Sequence, residues 1–176
     1  MERTPNSAQD ALYATATREF GAALDRLAAG YEADAEKRRD LRQEIHLQLW
    51  RSFAVFDQRC SLKTWSFRVA HNTAVSYVNR ERRKRVALVS LEEVADTVPA
   101  KQRTPDIDRS RALERLSGLI LMLKPLDRQI LLSYLEDMDA TAIAEITGLS
   151  RSNVAMKVHR IKQVLARHFL EEQQHV

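Results

Sequence analysis

Basic side chains are concentrated in two stretches of the chain, where they could bind phosphate groups. Residues 59–85 hold eight lysines and arginines against one acid, Glu81. Residues 141–168 hold five against one acid, Glu145, whereas residues 86–108 between them hold five acids and two bases. Clustered positive charge favours nucleic acid, because each phosphate contact releases condensed counterions. Two solvated basic faces without a ligand are the plain structural alternative.

Aromatic residues are interleaved with the first basic stretch. Trp65, Phe67 and Tyr77 follow Arg59 and Lys63 along the chain. A basic surface with exposed rings can hold single-stranded DNA, because the phosphates pair with the charges and the bases stack on the rings. Trp65 is equally compatible with a place in the core.

The second basic stretch coincides with a helix-turn-helix pattern. A short apolar helix from Thr141 precedes Gly148, and Ser150 is placed to cap a longer helix. Such a second helix enters the major groove of DNA, with its first turns facing the base edges. An ordinary helical hairpin is the alternative. The residues predicted to contact DNA are Arg151, Ser152, Asn153, Ala155, Met156, Lys157 and Arg160.

Residues that could support catalysis are scattered. None of the five histidines is paired with a second ligand at metal-binding spacing, and the sequence has no glycine-rich phosphate loop. Cys60 lies beside Arg59 and Lys63, but no base or orienting group can be named for it. No acidic cluster is placed to bind Mg²⁺ beside the basic stretches, which disfavours a nuclease. The sequence therefore predicts a protein that is not an enzyme and uses no metal or cofactor.

The composition favours a small all-α protein. Of the 176 residues, 44% are apolar and 30% charged, with 6% aromatic, four glycines and four prolines. This is enough apolar material for one or two cores, but few turn residues for a sheet protein. The single cysteine and the short apolar runs predict a cytoplasmic chain without disulfides or membrane insertion.

Apolar periodicity predicts three helices in residues 8–86. A first stripe, with Leu12 and Leu27, ends at Gly30, where a positive φ is expected. A second helix is predicted over residues 34–54, and a third starts after Ser61 and runs into the basic string 80–85. These helices form the predicted N-terminal domain.

A second helical domain is predicted over residues 107–172. Residues 87–106 lack a sustained period and are interpreted as a flexible linker with a helical turn near Leu91. Periodicity returns with Leu113, Leu116 and Ile120, and Pro125 forces a boundary before the next helix.

Several segments resemble conserved motifs of the extracytoplasmic-function sigma factors of bacterial RNA polymerase. They are DLRQEIHLQLW at 40–50, SLKTW at 61–65, RVAHN at 68–72, LKPLDRQIL at 123–131 and AIAEITGLS at 142–150. The first segment is similar to the polymerase-binding stretch of these proteins. The second and third are similar to the promoter-melting helix, and the last two to the fourth conserved region. The resemblance covers most of residues 11–169 and implies two small helical domains joined by a linker.

The resemblance implies that the second helix binds the coiled coil of the largest polymerase subunit, with a further contact to the polymerase flap. An apolar anchor with a polar rim suits such an interface. Leu47 and Trp50 could instead be core. The predicted polymerase-binding residues are Asp40, Gln43, Glu44, Leu47, Trp50 and Arg51.

The third helix is implied to read and melt the −10 promoter element, with the connector 56–62 shaping a pocket for a flipped base. Arg82, Arg83, Lys84 and Arg85 would contact the phosphate backbone. The predicted −10 residues are Arg59, Ser61, Lys63, Trp65, Asn72, Ser76, Asn79, Arg80, Arg82 and Arg83.

The recognition helix is implied to read the −35 element as duplex. Ala155 and Met156 depart from the family's usual polar or basic residues and could contact a thymine methyl, or leave recognition to their neighbours. The family also implies control by an anti-sigma factor. Two other functions stay open: a free-standing helix-turn-helix regulator, which would bind duplex without polymerase, and a helical adaptor for an acidic protein, which would not bind DNA.

Overall fold

The structure, a computed structural model, describes the backbone of residues 7–89 and 107–173 and the side chains of residues 8–84 and 113–167. Within these ranges the chain is helical, without strands, which confirms the predicted all-α class. The elements are α1 Ser7–Tyr31, α2 Ala35–Ser52, a 3-10 turn Phe53–Val55, α3 Leu62–Val89, α4 Ile107–Met122, α5 Pro125–Leu135, α6 Ala140–Thr147 and α7 Arg151–Gln173.

Helices α1, α2 and α3 form an N-terminal unit, and side-chain caps set the starts of α2 and α3. The Asp34 carboxylate accepts hydrogen bonds from the backbone N–H groups of Glu36 and Lys37 at 3.0 and 2.9 Å, which lowers the pKa of Asp34. The Ser61 hydroxyl accepts one from the N–H of Thr64 at 3.0 Å. These contacts satisfy N–H groups that the first turn of a helix leaves unpaired. The largest fully buried side chains here include Leu24, Leu27, Leu41, Ile45, Leu49 and Phe67.

Helix α3 continues to Val89, three residues past the predicted end of the N-terminal domain at residue 86. The rest of the predicted linker, residues 90–106, lies outside the described residues, as does the turn predicted near Leu91. The side chain of Arg85 lies outside them too.

Helices α4 to α7 form a C-terminal unit that contains the predicted helix-turn-helix. Pro125 occupies the first turn of α5, and the Asp139 carboxylate accepts a hydrogen bond from the N–H of Ala142 at 2.7 Å. Gly148 adopts φ 75°, a left-handed conformation that glycine reaches without a Cβ penalty. The Ser150 hydroxyl then accepts from the N–H of Asn153 at 3.3 Å and starts α7.

Two expectations about single residues are wrong. Gly30 does not adopt a positive φ at a helix end but lies inside α1, where a Cβ would come within 2.6 Å of the Leu132 side chain. A side chain at this position would therefore require the Leu132 side chain to shift. Leu113, assigned to the apolar stripe of α4, is 59% exposed, whereas Ile120 on the same helix is buried.

The two units pack against each other instead of lying apart. Helices α1 and α3 of the N-terminal unit contact α5 of the C-terminal unit, α1 also contacts α4, and α3 also contacts α6. The sequence predicted two separate domains and gave no indication of this interface.

Candidate functional site

Helix α2 presents one exposed face that contains the predicted polymerase-binding residues. Its opposite face buries Leu41, Ile45 and Leu49 completely or nearly so. Leu47 and Trp50 are 46% and 37% exposed, so both lie on the surface and not in the core. The helical period places the other predicted residues on the same face. Glu44 is half-buried, and the exposed ones are Asp40, Gln43 and Arg51.

Trp50 is held in place although its ring is exposed. Its indole N–H donates to the Asp10 carboxylate at 2.8 Å, and its backbone carbonyl accepts from the Gln9 side chain at 2.7 Å. Both partners are on α1. A fixed aromatic ring loses little rotamer freedom on binding, which suits an anchor residue in a protein interface.

Helix α3 exposes a row of polar and basic residues beside that face. Asn72, Ser76, Asn79 and Arg83 are exposed and recur at intervals of three and four residues, so they share one side of the helix. Arg80 is exposed at the edge of this row. Arg82 is also exposed but lies about a quarter turn away.

A groove of about 470 Å³ separates the exposed faces of α2 and α3. Glu44 and Arg51 line it from α2, and Asn72 and Ser76 line it from α3. The Arg80 guanidinium donates two hydrogen bonds to the Glu44 carboxylate across the two helices, at 3.2 and 2.6 Å. This pairing raises the pKa of Arg80. A residue predicted for polymerase thus binds a residue predicted for DNA.

Trp65 and the connector before α3 are mainly structural in this conformation. The indole N–H of Trp65 donates to the Ser52 hydroxyl at 2.9 Å, and its ring packs on Phe56 with 5.2 Å between centroids. Arg59 is exposed and pairs with Asp57 at 3.1 Å, and Ser61 is also exposed. Burial raises the pKa of the Cys60 thiol, which disfavours a reactive thiolate.

Lys63 does not lie on the exposed row of α3. By the helical period it lies nearly opposite Asn72, and its ammonium group donates to the backbone carbonyl of Glu136 in the C-terminal unit at 2.6 Å. Arg68, in the same basic stretch, donates to the carbonyl of Glu145 at 3.1 Å.

The start of helix α7 exposes most of the residues predicted to contact DNA. Arg151, Ser152, Asn153, Ala155 and Arg160 are exposed, and Met156 is 64% exposed. Lys157 is the half-buried member of the set, because its ammonium group donates to the Asp127 carboxylate of α5 at 2.7 Å. Val154 and Ile161 are buried on the other side of α7 and anchor it on the unit.

The described side chains do not form a metal site. No three His, Cys, Asp or Glu residues lie close enough to share an ion within the part of the chain that the structure describes. His46 pairs with the Tyr13 hydroxyl and His159 with Gln163, both at 3.0 Å. Among the described helices, none has the length and apolarity needed to cross a membrane.

Two family models match this chain over most of its length. Sigma-70 region 2 matches residues 17–84, and sigma-70 region 4 matches residues 113–165. The first range contains helices α2 and most of α3, and the second contains the helix-turn-helix.

The chain belongs to the sigma-70 family. Region 4 follows region 2 with only residues 85–112 between them, and this sigma factor is of the extracytoplasmic-function type, as its motifs indicated. It acts in transcription initiation, binds DNA through regions 2 and 4, and is not an enzyme.

Known proteins resemble this sigma factor along most of its length. The RNA polymerase sigma factor YlaC of Bacillus subtilis (strain 168) is 25% identical over 140 residues, which are 79% of this chain and 81% of that protein. The structure of CnrH in complex with the cytosolic domain of CnrY aligns with a TM-score of 0.61 at 16% identity, covering 89% of this chain and 86% of CnrH. At that identity the structural likeness concerns the fold.

Sequence reasoning missed the polar residues that this sigma factor buries. Arg128 donates to the carbonyls of Ile120, Leu121 and Leu123 and so closes the turn between α4 and α5, and burial lowers its pKa. Its guanidinium also lies over the Tyr31 ring, 5.4 Å from the centroid. Arg128 stood inside a recognised motif, but nothing in its spacing indicated a structural role.

Proposed function

We propose that this sigma factor binds core RNA polymerase through the exposed face of α2 and then directs initiation at promoters with specific −10 and −35 elements. The domain of residues 8–86 binds polymerase and −10 DNA, residues 87–106 link the domains, and residues 107–172 read the −35 element. The main support for this proposal is that the predicted polymerase-binding face of α2 and the polar row of α3 lie along the same groove. The Glu44–Arg80 ion pair connects the two helices there.

The polymerase contact is proposed to be the coiled coil of the largest subunit, with the flap contacting region 4. Leu47 and the fixed Trp50 ring supply an apolar centre, and charged side chains surround it. This arrangement matches protein interfaces, in which an aromatic anchor is enclosed by a polar rim.

The −10 contact is proposed to use the polar row of α3. Asn72, Ser76 and Asn79 can hydrogen-bond to exposed base edges, while Arg80, Arg82 and Arg83 neutralise phosphates. The exposed Arg59 and Ser61 lie within the connector 56–62, which would shape a pocket for a flipped base.

The −35 contact is proposed to use the first three turns of α7 in the major groove. Arg151, Asn153 and Arg160 supply hydrogen-bond donors, and the exposed Met156 can contact a thymine methyl. Lys157 is oriented by its bond to Asp127.

An anti-sigma factor is proposed as a further partner. The solved structure of CnrH holds the cytosolic domain of another protein, CnrY, and this chain shares the fold of CnrH. Such a partner would cover the faces that bind polymerase and DNA. Because polymerase and the chromosome are in the cytoplasm, we propose that this sigma factor acts there.

The test is transcription from genomic fragments with purified bacterial core polymerase, with and without this sigma factor. Discrete start sites should appear only with the sigma factor and weaken with Gln43→Ala/Glu44→Ala. Gln43→Ala/Leu47→Ala tests the same face while keeping the Glu44–Arg80 pair. Arg18→Ala/Glu19→Ala, on an exposed part of α1, is the control and should leave transcription unchanged.

Binding to duplex DNA by the chain alone, without dependence on polymerase, would instead favour a free-standing regulator. Absence of salt-dependent DNA binding would favour the protein adaptor.

A further inference from the structure

The start of helix α1 is attached to the end of helix α2 at Trp50. The Gln9 side-chain amide donates to the backbone carbonyl of Trp50 at 2.7 Å, and the Asp10 carboxylate accepts from the indole N–H of Trp50 at 2.8 Å. Carbonyls in the last turn of a helix are short of partners within that helix, and Gln9 supplies one from outside. The two contacts therefore hold both the backbone and the ring of Trp50.

Two further contacts fix α1 against α2. The Tyr13 hydroxyl lies 3.0 Å from Nδ1 of His46, and the two rings meet edge to face. Arg42 of α2 pairs with Asp25 of α1 at 2.6 Å. Asp10 and Tyr13 are three residues apart, so they share one side of α1. Asp10 is thus carried to the end of α2 by a helix that is fixed at several points.

The residues that hold Trp50 lie outside the part of the chain that matches the family. The match to sigma-70 region 2 begins at residue 17 and contains Trp50, whereas Gln9 and Asp10 precede it. The donor of the indole hydrogen bond is therefore inside the matched range and its acceptor is outside it. This contact is a feature of the present chain that the family match does not include.

The hydrogen bond to Asp10 fixes the orientation of the Trp50 ring. The ring is 37% exposed, so the core does not enclose it on every side. The indole N–H is the one hydrogen-bonding group of a tryptophan side chain, and a charged acceptor makes its bond stronger. A ring that already has its bound orientation loses less conformational freedom when a partner binds.

We infer that Asp10 is a positioning residue for polymerase binding: it holds the Trp50 ring in the orientation that core polymerase accepts, without touching polymerase itself. This inference rests on the proposed polymerase-binding function of α2. Without Asp10, the affinity for polymerase is lowered by the fraction of molecules in which the ring has turned away.

A double-mutant cycle in the full chain tests this role. Asp10→Ala removes the acceptor, and Trp50→Phe keeps an aromatic ring but removes the N–H donor. Competition with fluorescently labelled wild type for purified core polymerase gives the affinity of each variant. We expect Asp10→Ala to weaken binding about three- to tenfold and Trp50→Phe to weaken it at least as much. The double variant should bind no more weakly than Trp50→Phe alone, because both changes remove the same hydrogen bond.

Two more variants separate the hydrogen bond from the charge of Asp10. Asp10→Asn keeps a side-chain oxygen that accepts from the indole, so we expect it to bind close to the wild type. Glu19→Ala removes an acid from an exposed position of α1, away from Trp50, and should leave the affinity unchanged. If Asp10→Asn bound as weakly as Asp10→Ala, or if the losses in the double variant multiplied, Asp10 would act on polymerase directly and the inference would be wrong. Wild-type affinity of Trp50→Phe, which leaves α1 intact, would also overturn it.

Nuclear magnetic resonance reports the orientation of the ring without polymerase. The chain has two tryptophans, so a proton–nitrogen correlation spectrum contains two indole signals, and the one missing from Trp50→Phe belongs to Trp50. In Asp10→Ala this signal should shift, and its heteronuclear Overhauser effect should fall as the ring gains mobility. The Trp65 signal should stay in place and show that the fold is intact. Weaker polymerase binding without greater mobility of Trp50 would contradict a positioning role.

The wild type distinguishes failure of this inference from failure of the proposed function. If α2 does not bind polymerase, the wild type shows no affinity for the core enzyme, and both proposals fail whatever the resonance spectra show. If only the positioning role is wrong, the wild type binds core polymerase and gives discrete start sites, and Asp10→Ala binds as tightly as the wild type.

Discussion

The environment of His71 keeps its imidazole ring uncharged in the folded protein. Its ring is fully buried, with Tyr31 facing it from α1, Ser133 from α5 and Phe67 from its own helix. Burial lowers the pKa of His71 to about 3, because removal from water disfavours the charged imidazolium. The Arg128 guanidinium lies over the ring of Tyr31, the hydroxyl partner of His71. The imidazole therefore stays neutral at physiological pH.

This buried imidazole predicts that the free energy of unfolding falls on acidification. Between the ordinary pKa of 6.5 and about 3, the unfolded chain binds a proton at His71 that the folded chain excludes. Stability is therefore lost as the pH falls through this window, by up to about 1.4 kcal/mol per pH unit. Urea denaturation at pH 7.5 and pH 5.0 measures the difference.

His71→Gln should remove most of that pH dependence. The control is His46→Gln, because His46 is only half-buried and should leave most of the pH dependence in place. Equal urea midpoints at both pH values in the wild type would contradict the prediction.

At the level of single helices, we expect the same substitution, glycine to alanine, to have opposite effects on stability at two positions. Gly148→Ala forces an alanine into a left-handed turn at φ 75° and should destabilise the protein by about 1 kcal/mol. Gly21→Ala places a methyl in open space within α1 and should stabilise it by about 0.5–1 kcal/mol. Thermal unfolding followed by circular dichroism measures both. If both substitutions changed the melting temperature in the same direction, the roles assigned to Gly148 and Gly21 would be wrong.

Local signals made most helix boundaries predictable. Asp34, Ser61 and Asp139 cap helices within three residues of the N–H groups they satisfy. Of these, the sequence predicted Ser61 as a cap, left the start of α6 between Asp139 and Thr141, and placed the start of α2 near Asp34. Gly30 was misjudged because its role depends on Leu132, about a hundred residues away. Leu113 fits the apolar period yet stays exposed, since the folded surface keeps many apolar side chains.

The candidate site was predictable where exposure follows from helical period. The period placed Gln43 and Leu47 on one face of α2, and Asn72 and Ser76 on one face of α3. The partner of Lys63 was not predictable, because the carbonyl of Glu136 is 73 residues away and carries no sequence signal. The ion pair of Arg26 with Glu136, 110 residues away, likewise follows no pattern that a local reading could detect.

At the scale of the whole molecule, the shared interface predicts one cooperative unfolding transition. Regions 2 and 4 contact each other through α1, α3, α4, α5 and α6, so each domain loses support when the other unfolds. Calorimetry of the wild type should show a single peak. Arg26→Glu should broaden or split it, and Arg26→Glu/Glu136→Arg should restore it. A single unchanged peak in all three proteins would indicate that the domains are not coupled through this ion pair.

The Glu44–Arg80 pair has a consequence for how the protein is distributed in a cell. A chromosome offers on the order of 10⁶–10⁹ non-specific sites, which can absorb any small protein with free arginines. While the Glu44 carboxylate accepts hydrogen bonds from both terminal nitrogens of Arg80, that arginine is not available to such sites. We expect this pairing to reduce the positive charge that the free sigma factor offers to bulk DNA, and so to leave more of it available to polymerase. Polymerase binding at Glu44 would then release the arginine at the moment when a promoter is within reach.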